Sequence, residues 1–452
     1  MRIDIKSPEQ FGQIFSKITG KFLKTPVRGI VTDSRECQEG DLYIALAGER
    51  VDGHRFLETV NNLGATAALV SNSDQSISKM QQIVVGDPLK TIGRIARHWR
   101  RQFDIPIIGI TGSNGKTSTK ELLSHILESN FKVHATQGNF NTSIGLPLTL
   151  LTLNGTHSIS ILEMGANQPG DIAYLCEIAE PTHGLITNIA PAHLAGFGSI
   201  EVIAQTKGAL FTSLKNGISF VNLADEKVQS IPTYGEVVSF GLTADCDYPV
   251  DIHEEQNGNL TLTIDAEEVQ TESQNFSFIK NMISAASIAI TLGISWDTLR
   301  KKIHTFTPPA GRCQVKQFND ITVIDDTYNA NLSSSLAALD YLKAFSGNGR
   351  RIFVFGDMFE LGESSQRQHE KIGQKCTKIG LDAVYTVGDE RAYTVVHSPQ
   401  EDTLTDQALK AALIGKKNVT NHSFLERGSD ERQYCAPGIE LPVCGFSRSK
   451  DY

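Results

Sequence analysis

The sequence predicts an α/β protein of three domains, and three observations carry that prediction. The chain has 452 residues, more than one hydrophobic core ordinarily serves, and such a length divides into roughly three domains. Short apolar strand-like runs alternate with helical patterns, which implies a parallel sheet covered on both faces. The texture also changes twice, near residue 85 and after Pro308-Pro309. The division that follows is an N-terminal domain over 1–85, a central domain over 86–312 and a C-terminal domain over 313–452. The central domain is expected to hold a P-loop-type parallel sheet with helices on both faces, and the C-terminal domain to be Rossmann-like.

In residues 1–85 the runs GIVTD, DLYIAL and TAALVS are separated by polar turns, enough for a small α/β unit. The central part opens on a basic helical stretch, TIGRIARHWRRQF. Its strand candidates are IPIIGIT, SISILEMG, GLITNIA, ISFVNLAD and VVSFG. Between the first two lies KELLSHILES, which puts Leu122, Leu123, Ile126 and Leu127 on one helix face. After the double proline come ITVIDD, RIFVFGD and AVYTVGD. Each ends in Asp or Gly-Asp before helical or loop sequence, as in a dinucleotide fold.

Composition narrows the function classes. Hydrophobic residues make up 40% and charged residues 21%, which fits a globular chain rather than a disordered one. A net charge of −9 argues against nucleic acid as a partner and confines anion binding to local cationic clusters or backbone N–H groups. The seven cysteines are scattered without CxxC spacing, which suits a reducing compartment better than a disulfide scaffold or zinc ribbon. MRIDIKSPEQ lacks the apolar core of a signal peptide, and no apolar run reaches membrane-spanning length. The expectation is a cytoplasmic protein with no membrane span.

The most informative segment runs from Gly109 to Thr117. An apolar strand (Ile107, Ile108, Ile110) feeds the turn Gly112-Ser113-Asn114-Gly115, and Lys116-Thr117 opens an amphipathic helix. Glycines let consecutive N–H groups and the helix N-terminus face phosphates. Lys116 can bridge the β- and γ-phosphates, and the Thr117 hydroxyl can hold Mg²⁺. Spacing departs from Gly-x4-Gly-Lys-[Ser/Thr], because position 110 is Ile and Gly112 falls inside the loop. A nucleotide site is expected here, with the reaction left open.

Ligands of a parallel sheet gather at the carboxyl ends of its strands. SISILEMGAN ends at Glu163 and GLITNIAPAHL leads to His193, so both can stand near a γ-phosphate as ligands of a second Mg²⁺. Residue type alone equally allows Glu163 to be a surface carboxylate and His193 a hydrogen-bonded loop histidine. Lys207, in AQTKGALF, reads by itself as a solvated helix lysine.

Together these segments make the chain resemble the Mur ligases over roughly residues 25–420. TGSNGKT is similar to their variant phosphate loop. TDSRECQEGDLYIALAGERVDGHRF, GNFNTSIGLPLTLL, EMGANQPGDI and NIAPAHLAGFGS resemble further family stretches. DDTYNAN and GDMFELGESSQRQH resemble the branch that takes D-alanyl-D-alanine as the incoming amine. The resemblance implies ATP as co-substrate, Mg²⁺, and UDP-N-acetylmuramoyl-tripeptide and D-alanyl-D-alanine as substrates of a monomeric enzyme. It makes Thr117, Glu163, His193 and Lys207 the metal-site residues, with Lys207 carbamylated by CO₂. Asn281 is implied near the adenine, Asp326 near the ribose, and Arg312 on the phosphates from the interdomain hinge. Lys116, His193, Lys207 and Arg312 are the implied catalytic set. Ser34, Arg35, Asp52, Gly53 and His54 are implied at the UDP-sugar end; Asn139, Asn141, Tyr328, Asn329 and Phe359 are implied substrate contacts.

Other readings remain open at this stage: a related amide ligase with another acceptor, or a nucleotide-binding protein without ligase activity. Thr142, Lys280, Ser284, Ala209 and Leu332 depart from the family's usual residues at supporting positions. The stretch NVTNHSFLERGSDERQYCAPGIELPVCGFSRSKDY departs more, and its last 30 or so residues are expected to be foreign to the fold, as after a reading-frame change.

Overall fold

The computed structural model describes residues 1–388 apart from 49–50, 192–193, 348, 360 and 362–363; beyond 388 it describes 393–396, 419–422 and 443–447. The N-terminal sheet has the order β1 (Arg2–Asp4), β2 (Gly29–Val31), β3 (Asp41–Ile44), β4 (Ala67–Val70), β5 (Gln81–Val84). Its β1–β2 pair is antiparallel and the rest are parallel. Alternation along the strands sends Ile30, Leu42, Ile44 and Leu69 to one face, and Val31, Tyr43, Ala68 and Val70 to the other. The first face shares a core with Trp99 of the helix Pro88–Arg100 and with central residues such as Ile107 and Leu146. This sheet is thereby docked on the central one. Asp41, at the start of the middle strand β3, is fully buried and accepts two hydrogen bonds from Arg2, Nε at 2.8 Å and Nη2 at 2.9 Å. The bidentate pairing is what makes a buried carboxylate tolerable there.

The central sheet comprises β6 (Ile107–Thr111), β7 (Val133–Ala135), β8 (Ile159–Glu163), β9 (His183–Ile186), β10 (Ile218–Asn222), β11 (Glu236–Gly241), β12 (Tyr248–Glu254), β13 (Leu260–Ile264) and β14 (Glu267–Gln270). Their order is β14-β13-β12-β11-β10-β9-β6-β8-β7. Pairing is parallel from β7 to β12, and β12–β13–β14 adds an antiparallel extension that was not expected. Helices cover both faces. Ile108, Ile110 and Ile161 pack with the helices Lys116–Leu127 and Phe276–Thr291; Ile107, Leu162 and Ile186 pack with Asp171–Ala179 and Ile200–Ser213.

Beyond the double proline, β15 (Gln314–Phe318) and β16 (Ile321–Asp325) form a separate antiparallel hairpin. This corrects the expectation that ITVIDD starts the third parallel sheet. Asn319, at φ +51°, turns the chain back on itself, and β16 pairs with its neighbour in sequence instead. The third sheet has the order β17 (Ile352–Gly356), β18 (Ala383–Gly388), β21 (Val443–Ser447), β19 (Tyr393–Val396), β20 (Val419–His422), parallel except for β19–β21. The unusual tail lies mostly outside the described residues, yet it supplies the middle strand of this sheet. Among the described residues no helix is long and apolar enough to cross a membrane.

Candidate active site

At the carboxyl ends of β6, β8, β9 and β10 lies a cavity of about 1110 Å³, walled on its far side by Arg312 and residues 326–341. β6 stands between β8 and β9, so chain connections leave it in opposite directions and open a crevice above its end. The turn 112–115 fills the floor of that crevice. Gly112 has φ +146°, and a Cβ there would meet Thr187 Oγ1 at 1.9 Å; Gly115 has φ +81°, and a Cβ would meet Asn281 Oδ1 at 2.3 Å. Neither position has room for a side chain, and both conformations favour glycine.

The loop is clamped from β9. Ser113 donates through N to Asn188 O (3.0 Å) and through Oγ to Ala190 O (2.7 Å). Asn114 N donates to Asn188 Oδ1 (3.1 Å), while Asn114 O accepts from Thr187 Oγ1 (2.5 Å) and Asn188 Nδ2 (3.0 Å). Thr187 and Asn188 hold the turn in place, a part that residue type does not announce. Their only sequence signal is their place just after a strand of the parallel sheet.

Lys116 starts its helix and donates from Nζ to Gly112 O at 2.9 Å. Burial pushes its ammonium down; Glu163 pulls it back up and Arg312 adds to the lowering. Glu163, at the end of β8, is 2% exposed. Its Oε1 accepts from Asn141 Nδ2 at 2.7 Å, but its buried Oε2 has no hydrogen-bond partner among the described residues. An orphaned buried carboxylate oxygen is costly unless something positive completes it. Lys207 is 3% exposed, contrary to the solvated lysine its sequence suggests. Its helix packs against β6 and β9, and burial, reinforced by Lys116, pushes its ammonium down to about 7. An acidic chain thus holds a cavity lined by Lys116, Lys207 and Arg312, with Glu163 acting on Lys116.

Arg312 sits between Gly311 (φ +72°) and Cys313 (φ +55°), two left-handed residues that aim its side chain back at the central sheet. A non-glycine residue in that region costs on the order of 1–3 kcal/mol. Its Nη2 donates to Thr117 Oγ1 at 3.3 Å, and its guanidinium lies 3.9 Å from the Tyr328 ring centre. Asp326 accepts from Cys313 N at 3.2 Å, and burial pushes its carboxyl up.

The cavity therefore gathers Gly112, Ser113, Asn114, Gly115, Lys116, Thr117, Asn139, Asn141, Glu163, Lys207, Asn281, Arg312, Asp326, Tyr328 and Asn329. Asn141 meets Glu163 there, a supporting part beyond the substrate contact expected of it. Phe359 does not line the cavity and is 65% exposed; the neighbouring Met358 turns inward instead. Ser34, Arg35, Asp52, Gly53 and His54 lie apart in the N-terminal unit. There Arg35 pairs with Asp33, and His54 bridges Asp52 Oδ1 (2.7 Å) and Ser71 N (3.0 Å). Because Ser71 N–H donates to Nε2, the His54 proton sits on Nδ1, facing Asp52. His193 lies outside the described residues.

Residues 110–289 match the model of the Mur ligase middle domain, and residues 26–100 that of the Mur ligase family catalytic domain; residues 365–452 match a domain of unknown function, DUF4910. The UDP-N-acetylmuramoyl-tripeptide–D-alanyl-D-alanine ligase of Synechocystis sp. is 35% identical over 371 residues, 80% of each chain. Among solved structures, MurF from Acinetobacter baumannii superposes with a TM-score of 0.76 at 28% identity, covering 97% of this chain and 94% of its own. The MurF ligase of Thermotoga maritima, in complex with ADP, gives 0.70 at 28% identity with 93% of each chain covered. With a relative this similar across four fifths of both sequences, and a phosphate loop, strand-end carboxylate and hinge arginine around one cavity, the chain belongs to the Mur ligase family.

Proposed function

We propose that this chain is an ATP-dependent carboxylate–amine ligase that joins D-alanyl-D-alanine to UDP-N-acetylmuramoyl-tripeptide in peptidoglycan precursor synthesis. The observation that carries the reading is the extent of similarity to a ligase of that name, 35% identity over 80% of both chains. The division at about 85 and 312 belongs to the same reading. So do a monomeric state and the cytoplasm as location, the latter supported by five free cysteines among the described residues.

A carboxylate does not form an amide at neutral pH unless its oxygen becomes a leaving group. The terminal carboxylate of the tripeptide attacks the γ-phosphorus of ATP, giving an acyl phosphate and ADP. The amine of D-alanyl-D-alanine then adds to the acyl carbon, and the tetrahedral species expels phosphate and loses a proton. The first step brings two anions together, so fixed positive charge at the floor and wall lowers its barrier. Lys116 and the N–H groups at the start of its helix hold the phosphates, and Arg312 reaches them from the hinge. Asn281 and Asp326 take the adenosine end, while Tyr328 and Asn329 face the acceptor. Ser34, Arg35, Asp52, Gly53 and His54 hold the distant UDP-sugar end. Asn139 completes the substrate contacts.

Thr117, Glu163 and Lys207 are the described residues that would hold Mg²⁺, with His193 assigned to the same site by family resemblance. The free Oε2 of Glu163 fits such an ion. No group of three His, Cys, Asp or Glu gathers among the described residues, which suits an ion that takes one or two carboxylates plus phosphates and water. When bound it supplies charge neutralisation of the phosphate oxygens.

Carbamylation of Lys207 requires its neutral amine, and a value pushed down to about 7 makes that form abundant at neutral pH. Activity is therefore expected to fall as pH drops below 7 in CO₂-depleted buffer and to recover on adding bicarbonate. Lys207→Arg, which cannot carry the carbamate, is expected to lose about 10²-fold or more in kcat. Bicarbonate-independent rates from pH 6 to 8 would remove Lys207 from this role.

The function itself is tested by coupled ADP release with UDP-N-acetylmuramoyl-tripeptide and, in turn, D-alanyl-D-alanine, diaminopimelate or glutamate. D-alanyl-D-alanine alone is expected to support turnover. Turnover with either other acceptor, or with none of the three, overturns the assignment.

A further inference from the structure

The third domain touches the phosphate loop directly, apart from the contact that the hinge residue Arg312 makes with Thr117. Asn331 caps the helix Leu332–Ala344: its Oδ1 accepts from Ser334 N (2.9 Å), and Ser334 Oγ accepts from Asn331 N (3.0 Å). The other end of the same amide, Nδ2, donates to Asn114 Oδ1 at 2.6 Å across 217 residues of sequence. Asn114 is the loop residue whose backbone Thr187 and Asn188 clamp.

We propose that Asn331 is a positioning residue that couples the seating of the third domain to the shape of the phosphate loop, an inference that rests on the ligase reading above. One side chain serves both roles. Its oxygen is committed to the helix, so the direction of its N–H₂ is set before Asn114 is met and little side-chain freedom remains to be lost. The helix of 13 residues is a rigid lever, and a swing of the third domain carries Asn331 with it and breaks the contact. Asn114 directly precedes Gly115, Lys116 and Thr117, the residues that open the helix at the cavity floor, so the bond reports closure to the segment proposed to hold ATP. Arg312 cannot substitute for it, because it reaches Thr117 and belongs to the hinge itself. Loss of the latch loosens closure over the acyl phosphate and admits water, which then takes the place of the amine.

Asn331→Ser separates the two roles, since serine caps helices about as well as asparagine but is too short to reach Asn114. With ATP, tripeptide and D-alanyl-D-alanine, the wild-type protein is expected to release one ADP per amide formed. The serine variant is expected to keep its melting temperature, to lose about tenfold in kcat/KM for ATP, roughly one hydrogen bond, and to release more ADP than amide. Asn114→Ser combined with it is expected to be no worse than Asn114→Ser alone, because the two residues act through one bond. A serine variant that remains at one ADP per amide with wild-type kinetics, or a double variant whose losses multiply, overturns the latch. Should the serine variant fail to fold, Asn331→Thr carries the same measurements. If the wild-type protein forms no amide, the ligase reading fails; the latch is then judged by ADP affinity, expected weaker in Asn331→Ser and refuted if unchanged.

Discussion

Lys116→Ala is expected to abolish ATP-dependent ligation while leaving the protein folded. The lysine opens its helix at a position where alanine is at least as favourable, so helix formation is not impaired. Its Nζ makes a bond to Gly112 O, a carbonyl on the cavity lining that water can reach once the side chain is gone. What the substitution removes is a cation fixed beside the phosphates. Burial lowers the proton affinity of Lys116 and Glu163 restores part of it. A preorganised charge of this kind is worth about 10²–10³ in rate, and in the proposed mechanism Lys116 acts on both ATP binding and the first step. Coupled ADP release should drop by at least that factor, with the melting temperature shifted by no more than a few degrees. Normal turnover in the alanine variant would remove Lys116 from the mechanism. Lys116→Arg should also be impaired, since a planar fork does not replace a compact ammonium beneath a tight loop.

The phosphate loop was legible because chemistry and local structure coincide there. Apolar β6, two glycines and Lys-Thr at a helix start each constrain one another within eleven residues, Ile107 to Thr117. Lys207 was not legible in the same way. A single lysine on a helix reads as solvated, and only the packing of that helix on β6 and β9 buries it. Thr187, Asn188 and Asn331 escaped because a clamp needs only a donor or acceptor in the right place, and common polar residues supply that without a pattern. The misplaced hairpin has a different cause. ITVIDD carries the apolar run of a buried strand, but which neighbour it pairs with depends on the turn at Asn319 rather than on the run itself. The antiparallel extension does carry a signal in the sequence. Asn257-Gly258 followed by Leu260, Leu262 and Ile264 is a turn and an alternating strand, and those three side chains all reach the core.

Glu163→Gln should move activity and stability in opposite directions. The carboxylate is nearly inaccessible, with Oε1 held by Asn141 and Oε2 unpartnered. A half-satisfied buried charge destabilises a fold, while a neutral amide of the same shape carries a smaller desolvation cost. Glutamine can still accept from Asn141 through its carbonyl oxygen, so that supporting contact survives. The variant is thus expected to be as stable as the parent or slightly more so, by up to about 1–2 kcal/mol, the range for a buried polar group relieved of its charge. Activity should fall by about 10²–10³, because the substitution removes the buried negative charge that acts on Lys116 and with it the anionic oxygen that a divalent ion requires. The fall should be accompanied by a raised Mg²⁺ requirement, read by titrating the metal at saturating ATP. A purely structural carboxylate would give the reverse: lower stability, with activity lost only as folded protein is lost. Melting curves and Mg²⁺ titrations on the same preparation decide between the two, and parallel loss of stability and activity would exclude Glu163 from the metal site.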